Sequence, residues 1–281
     1  MSHGEAAPVP LLPAPDLPAG FVWPAASGRE ILQCVPREEA VRRDDLVGRQ
    51  GLDDGSGTSD VLLVQAGAWC LKTSSRRRFA DLEEGRTALL ALVRRKLLLG
   101  PLLPRSTVLA LVPGSDGEDE GGARLWTVCP WISTLRRQMG LAVERGDTAA
   151  LASALAAFAT AAVEAMALAA RQGVQLDIHP SNFALTPDGL CYVDDDIGRS
   201  ANLPAIAHAL LRRVEEYAAW EVAVDIYLSA LEEALAVRLN AGEARALGLA
   251  EALDQAPVRS PEAEAARQRL RRAVWRCPPT P

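Results

Sequence analysis

The sequence predicts an α+β chain in which a small strand-rich part precedes a larger helical one. Three observations carry this. Between residues 29 and 130, short apolar runs rich in Val, Leu and Trp alternate with breaks containing Gly, Pro and Asp, as strands do. From Trp131 onward, long Ala- and Leu-rich stretches follow one another with few breaks, as helices do. A length of 281 residues, 49% of them hydrophobic, is enough to bury one large core or two lobes.

Residues 1–28 are rich in Pro, Ala and Gly without a sustained period, so they read as a flexible leader, with the fold starting near Arg29. Ile31-Leu-Gln-Cys-Val35 is the first extended candidate. Asp60–Gln65 and Ala68–Thr73 read as a hairpin joined through Ala66-Gly67. Phe79–Leu99 places leucines at helical spacings and stops at Gly100-Pro101, which predicts a helix. Ser106–Val112 and Ala123–Cys129 are two more strands around an acidic, Gly-rich loop at 114–122. The segment 29–130 is therefore expected to be a small sheet with one helix.

The segment 131–281 is expected to be helical. Asp147 is placed to cap a helix that runs to about Arg171, and Gly173 is placed to stop it. This stretch, Thr148 to Ala170, is about the length of a membrane span, but its apolar character is mostly alanine and it contains Glu164, so a buried helix is expected instead. Phe183-Ala-Leu and Leu190-Cys-Tyr-Val flank Pro187-Asp-Gly as a second hairpin. Helices fill the rest from Leu203, with breaks near Ala241-Gly242 and Ala256-Pro257, and no internal repeat is present.

A net charge of -6 argues against a nucleic-acid surface, which concentrates positive charge to neutralise phosphates. The five cysteines form no C-x-x-C pair and read as reduced thiols, and the amino terminus lacks the pattern of a signal peptide, so a cytoplasmic setting is expected. Zinc is not expected, because His3, His179 and His208 are not spaced with the cysteines as ligands.

The chemistry concentrates in Gln175-Leu-Asp-Ile-His-Pro-Ser-Asn182 and in the Asp194-Asp195-Asp196 run that ends the second hairpin. A carboxylate, an amide five residues later and an acidic cluster after an apolar strand suit the alignment of a hydroxyl and the grip of a metal-bound phosphate chain. Asp177 and Asn182 in a self-satisfied Asx turn, with a solvated acidic loop beyond them, is the plainer alternative. Lysine occurs only at positions 72 and 96 in a chain with 30 basic residues, and Lys72 sits in a strand-like run. Its compact charge on a flexible stem reaches phosphate oxygens in a way that arginine's planar group does not reproduce.

Asp177-Ile-His-Pro-Ser-Asn182 resembles the D-x-H-P-x-N catalytic loop of the aminoglycoside phosphotransferase and small-molecule kinase branch of the protein-kinase-like superfamily. The likeness extends over roughly residues 55–200. It implies a two-lobed fold, with ATP and Mg2+ as cofactors and transfer of the γ-phosphate to a hydroxyl of a small molecule, or of a protein substrate. Asp177 would be the catalytic base. Asn182 with Asp194 or Asp195 would hold the metal, with Asp196 as third choice. Lys72 would contact the nucleotide phosphates, paired with Glu84 or Glu83, while Cys129 and Trp131 at the hinge would meet the adenine.

The chain departs from that pattern in three places. No clear G-x-G-x-x-G loop precedes Lys72, with Gly48-Arg-Gln-Gly51 and Gly55-Ser-Gly57 only loose candidates; Gln175 stands where a histidine is usual; and no A-P-E segment follows the acidic run. Two rival classes follow. One is a pseudokinase that binds a nucleotide or a partner protein without turnover, and the other is an unrelated helical interaction protein.

Overall fold

The computed structural model describes residues 21–35, 40–42, 61–113, 122–198, 203–220 and 222–279. The two Gly-rich phosphate-loop candidates, Asp60 and the acidic loop tip lie outside the described residues. Packing divides the chain into two compact units, one of Met1–Arg95 with Pro104–Trp131, the other of Lys96–Leu103 with Ile132–Pro281.

The first unit is built around β6 (Val108–Pro113) and β7 (Ala123–Pro130), which are apolar at almost every position. Side chains of a strand alternate between faces, so a run of this kind needs cover on both. Val108, Ala110 and Val112 point into one core with Leu71 and Trp126, against which Ile31 and Leu32 of α1 (Ala25–Gln33) pack. Leu109 and Leu111 point into a second core with Leu89, Leu92 and Val93 of α2 (Leu82–Leu97). The continuous apolar pattern is thus that of a sheet sandwiched between two helices.

Around this pair, β1 (Phe21–Trp23), β2 (Ala40–Arg42), β3 (Val61–Ala66) and β4 (Trp69–Ser74) complete the order β1-β6-β7-β4-β3-β2, with β5 (Arg78–Phe79) also on β7. Every pairing is antiparallel. The β3–β4 hairpin closes through Gly67-Ala68, with Ala66 opposite Trp69.

Three expectations change here. Ile31–Val35 is not a strand: Ile31 and Leu32 end helix α1, because one apolar pair every turn is enough to cover a sheet that already has its strands. Folded structure is already present before Arg29, since Phe21–Trp23 pairs with Leu109–Leu111 as an edge strand among the described residues. Residues 96–103 belong with the helical unit rather than with the sheet, because Leu99 and Leu102 are buried in the helical core.

Gly85 marks where α2 crosses the sheet: a Cβ there would lie 2.6 Å from Leu111 Cδ1 and 3.1 Å from Phe79 Cδ2. A Gly85→Leu variant is expected to lose about 2 kcal/mol of stability through overpacking, read by denaturant unfolding.

The second unit is helical. Its centre is α4 (Thr148–Gln172), capped by Asp147, which accepts from Ala150 N, and closed by Gly173 in the left-handed conformation (φ 64). Both caps stand where the sequence predicts them. Among the described residues α4 is the one helix long and apolar enough to cross a membrane, but most of its apolar window is buried inside the unit, and Glu164 pairs with Arg238. There is accordingly no clear membrane span.

Around α4 pack α3 (Leu135–Glu144), α5 (Leu203–Tyr217) and α6 (Ala223–Arg238), then α7 (Ala241–Ala246), α8 (Leu249–Gln255) and α9 (Pro261–Trp275). Asn240 and Glu243 form a reciprocal capping box at α7, so the Ala241-Gly242 break is a helix start. None of the five cysteines is in a disulfide; Cys34, expected in a strand, caps the C-terminus of α1.

Candidate functional site

Four short strands hold the segment that carries the chemistry. β8 (Gln175–Leu176) leads into the 177–182 loop, β9 (Phe183–Thr186) and β10 (Gly189–Tyr192) form a hairpin, and β11 (Ile197–Gly198) returns to pair with β8, Ile197 opposite Leu176. The polar loop and the acidic run therefore leave the same small ladder side by side. Apolar neighbours fasten each of them: Leu176 and Ile178 flank Asp177, Phe183 follows Asn182, and Tyr192 precedes the acids, all buried in the helical core.

Within the loop, Pro180–Asn182 is a tight helical turn capped by His179, whose Nδ1 accepts from Ser181 N at 3.2 Å. His179 thus shapes the turn. Asn182 Nδ2 donates to Asp177 Oδ2 at 2.9 Å, and Asn182 O accepts from Val193 N at 2.8 Å. Tyr192 joins the two segments a second time, its hydroxyl donating to Asp196 O at 2.8 Å and accepting from Asp177 N at 3.4 Å. Burial, then the charge of Asp194, hold this phenol protonated far above its ordinary range, so it stays a donor.

The three acids do not share one environment. Asp195 is buried, Asp194 is half-buried and Asp196 is exposed, so only the middle acid is taken into the core. Asp195 Oδ1 lies 2.5 Å from Lys96 Nζ in an ion pair whose side chains are 4% and 2% exposed. Lys96 Nζ also donates to Asp194 O at 3.2 Å.

Asp194 and Asp196 act on Asp177 instead. Asp177 is solvent-exposed, but partial desolvation against the ladder raises its carboxyl above its ordinary value and both acids raise it further, against the Asn182 amide and the Arg213 guanidinium, which lower it. A carboxyl whose folded pKa exceeds its unfolded one favours the protonated fold, so above the folded pKa the ionised group costs stability. Because solvent screens an exposed carboxyl, an Asp177→Asn variant is expected to melt only slightly higher than the parent protein at pH 7, with the gap closing as pH falls into the ordinary carboxylate range. Melting curves from pH 7 to pH 3 read this directly.

The other predicted positions lie in the first unit. Lys72 is on β4, opposite Leu63 of β3 and Thr127 of β7. Cys129 is buried opposite Cys70 near the end of β7, and the Trp131 N–H donates to Ala68 O at 2.7 Å, which extends that ladder past the strand. Glu84 stands in the first turn of α2, where its carboxylate accepts from Ala80 N at 3.0 Å while Asp81 caps its own N–H at 2.8 Å. Glu83, the other candidate, pairs with Arg86.

The structure thus brings Asp177, Asn182, Asp194 and Asp196 together within the second unit, and it takes Asp195 into the core. Sequence reasoning missed Lys96, Tyr192 and Arg213. For Lys96 a signal existed, since it is one of only two lysines. Among the described residues no group of three or more His, Cys, Asp and Glu side chains forms a metal cage. Comparison with models of known families, with curated proteins and with solved structures finds no match for this chain.

Proposed function

We propose that this chain is an ATP- and magnesium-dependent phosphotransferase, in a two-lobed protein-kinase-like fold, that moves the γ-phosphate of ATP to a hydroxyl of a small molecule. One observation carries the reading: the 177–182 loop and the acidic run leave one ladder so that Asp177 and Asn182 are in hydrogen-bond contact and Asp194 and Asp196 bear electrostatically on Asp177.

In this reading Asp177 accepts the proton of the acceptor hydroxyl and orients its oxygen for attack on phosphorus. A carboxyl shifted upward, toward the operating pH, is better matched to that transfer than an ordinary one. Asn182 and one of Asp194 or Asp195 would hold magnesium. The donor set fits, because magnesium takes one or two protein carboxylates together with substrate phosphates and needs no closed cage. Bound there, it would neutralise charge on the phosphates. Lys72 is assigned to the nucleotide phosphates, and Cys129 and Trp131 to the adenine side.

A second reading keeps the fold without turnover. Gln175 at the usual histidine position favours it, as does the bond between Asn182 and Asp177, which engages both side chains with each other. Ligand and turnover measurements separate the classes. Mg-ATP at 100 times its dissociation constant is expected to stabilise the protein by about 2.7 kcal/mol, seen as a raised melting temperature. Lys72→Ala is expected to reduce that shift. No shift at all would leave the helical interaction protein as the surviving class. A shift without phosphate transfer to any hydroxyl acceptor would leave the pseudokinase.

A further inference from the structure

Lys96 has no part in the reaction as assigned above, yet it is the most deeply buried charge of the described residues, 1% exposed. It stands in the last turn of α2, and its ammonium faces two consecutive residues of the acidic run, the carboxylate of Asp195 at 2.5 Å and the carbonyl of Asp194 at 3.2 Å. An ammonium is expensive to remove from water and is held only where several acceptors surround it. Its compact ammonium meets a side chain and a main-chain carbonyl together.

We propose that Lys96 is a positioning residue for the site, and that by drawing Asp195 into the core it leaves Asp194 as the carboxylate that meets the phosphate-bound cation. The assignment rests on the phosphotransferase reading and narrows it. With Asp195 held by Lys96, its neighbours Asp194, half-buried, and Asp196, exposed, are the acids left nearer solvent. Of these two, Asp194 directly follows Val193, whose N–H is bonded to Asn182 O at 2.8 Å, so it is the acid tied most closely to the other predicted ligand. Asp196 is instead fixed through its carbonyl by Tyr192. The last turn of α2 thereby sets the direction of a carboxylate that it does not touch.

The test uses the full chain with Mn2+ as a spectroscopic stand-in for magnesium, titrated by electron paramagnetic resonance in the presence of a non-hydrolysable ATP analogue. Melting temperature and amide hydrogen exchange at residues 194–197 are read alongside. Asp194→Asn is expected to weaken Mn2+ binding at least tenfold with an undiminished melting temperature. Asp195→Asn and Lys96→Met are expected to lower the melting temperature and speed exchange at 194–197. The double variant Lys96→Met with Asp195→Leu replaces the pair by apolar side chains; it is expected to recover the melting temperature while Mn2+ affinity stays at least threefold down.

Wild-type Mn2+ affinity in that double variant would reduce the pair to a structural one and overturn the assignment. So would Asp195→Asn abolishing Mn2+ uptake while Asp194→Asn keeps it. A wild-type protein that binds no Mn2+ with the analogue overturns the phosphotransferase reading and this inference together. The expected variant pattern in a protein that transfers no phosphate supports Lys96 and Asp194 in their roles and removes only the enzyme reading.

Discussion

Asp177→Ala is expected to lower the rate of phosphate transfer by about 10²–10⁴-fold while leaving nucleotide binding nearly intact. The reasoning is local. The carboxylate is the one group in the 177–182 loop suited to receive a hydroxyl proton, since His179 Nδ1 is engaged by Ser181 and Asn182 carries no titratable proton. Removing it takes away an interaction made in the transition state, so kcat falls and the nucleotide-dependent melting shift does not. Asn182 loses its Asp177 Oδ2 partner in this variant but keeps its backbone bonds to His179 O and Val193 N, so the loop retains its shape. Steady-state kinetics and a Mg-ATP melting series on the same preparation give both numbers. Undiminished turnover of an identified acceptor would refute the assigned base.

Lys96→Met is expected to cost about 3–5 kcal/mol of stability, the largest single-residue effect predicted for the chain. The variant leaves the Asp195 carboxyl without its cation in a place where its side chain is 4% exposed, and it withdraws the donor from Asp194 O at the same time. A buried acid deprived of its ammonium bears the desolvation that the pair had offset, or the cost of taking up a proton, whereas a pair replaced at both ends by apolar groups does not. Chemical denaturation should therefore show a loss in the single variant and recovery in the Lys96→Met, Asp195→Leu double variant, a coupling that independent sites lack.

How far the sequence carries depends on whether a signal is local. Asp147 and Gly173 bracket α4 because capping is decided within four residues of the helix end. β6 and β7 are legible because a sheet covered on both faces is apolar at nearly every position. Ile31–Val35 is too short for its period to tell strand from helix, and only the sheet it covers decides. β1 is hidden in Pro- and Ala-rich chain because an edge strand is specified by its neighbour's open edge, here Leu109–Leu111.

The same distinction runs through the site. Asp177 and Asn182 are five residues apart, and their contact is readable from spacing. The choice among the three acids is not, because the ion pair that takes Asp195 into the core is made with Lys96, 99 residues before it in sequence. Glu84 shows the local side of the same distinction: an acid in the first turn of a helix can satisfy the main chain next to it, as its bond from Ala80 N does.

A chain that uses arginine almost everywhere and buries one of its two lysines carries its own chemical footprint. Acylating reagents attack unprotonated amines and leave guanidinium groups untouched. Lys96, paired in the core, is shielded until the fold opens, so its acylation should proceed at the rate of opening. Lys72, on a strand of the other unit, would lose reactivity on addition of Mg-ATP if the phosphotransferase reading holds. Mass spectrometry of two peptides from one reaction would then follow unfolding and nucleotide occupancy separately, with no engineered label.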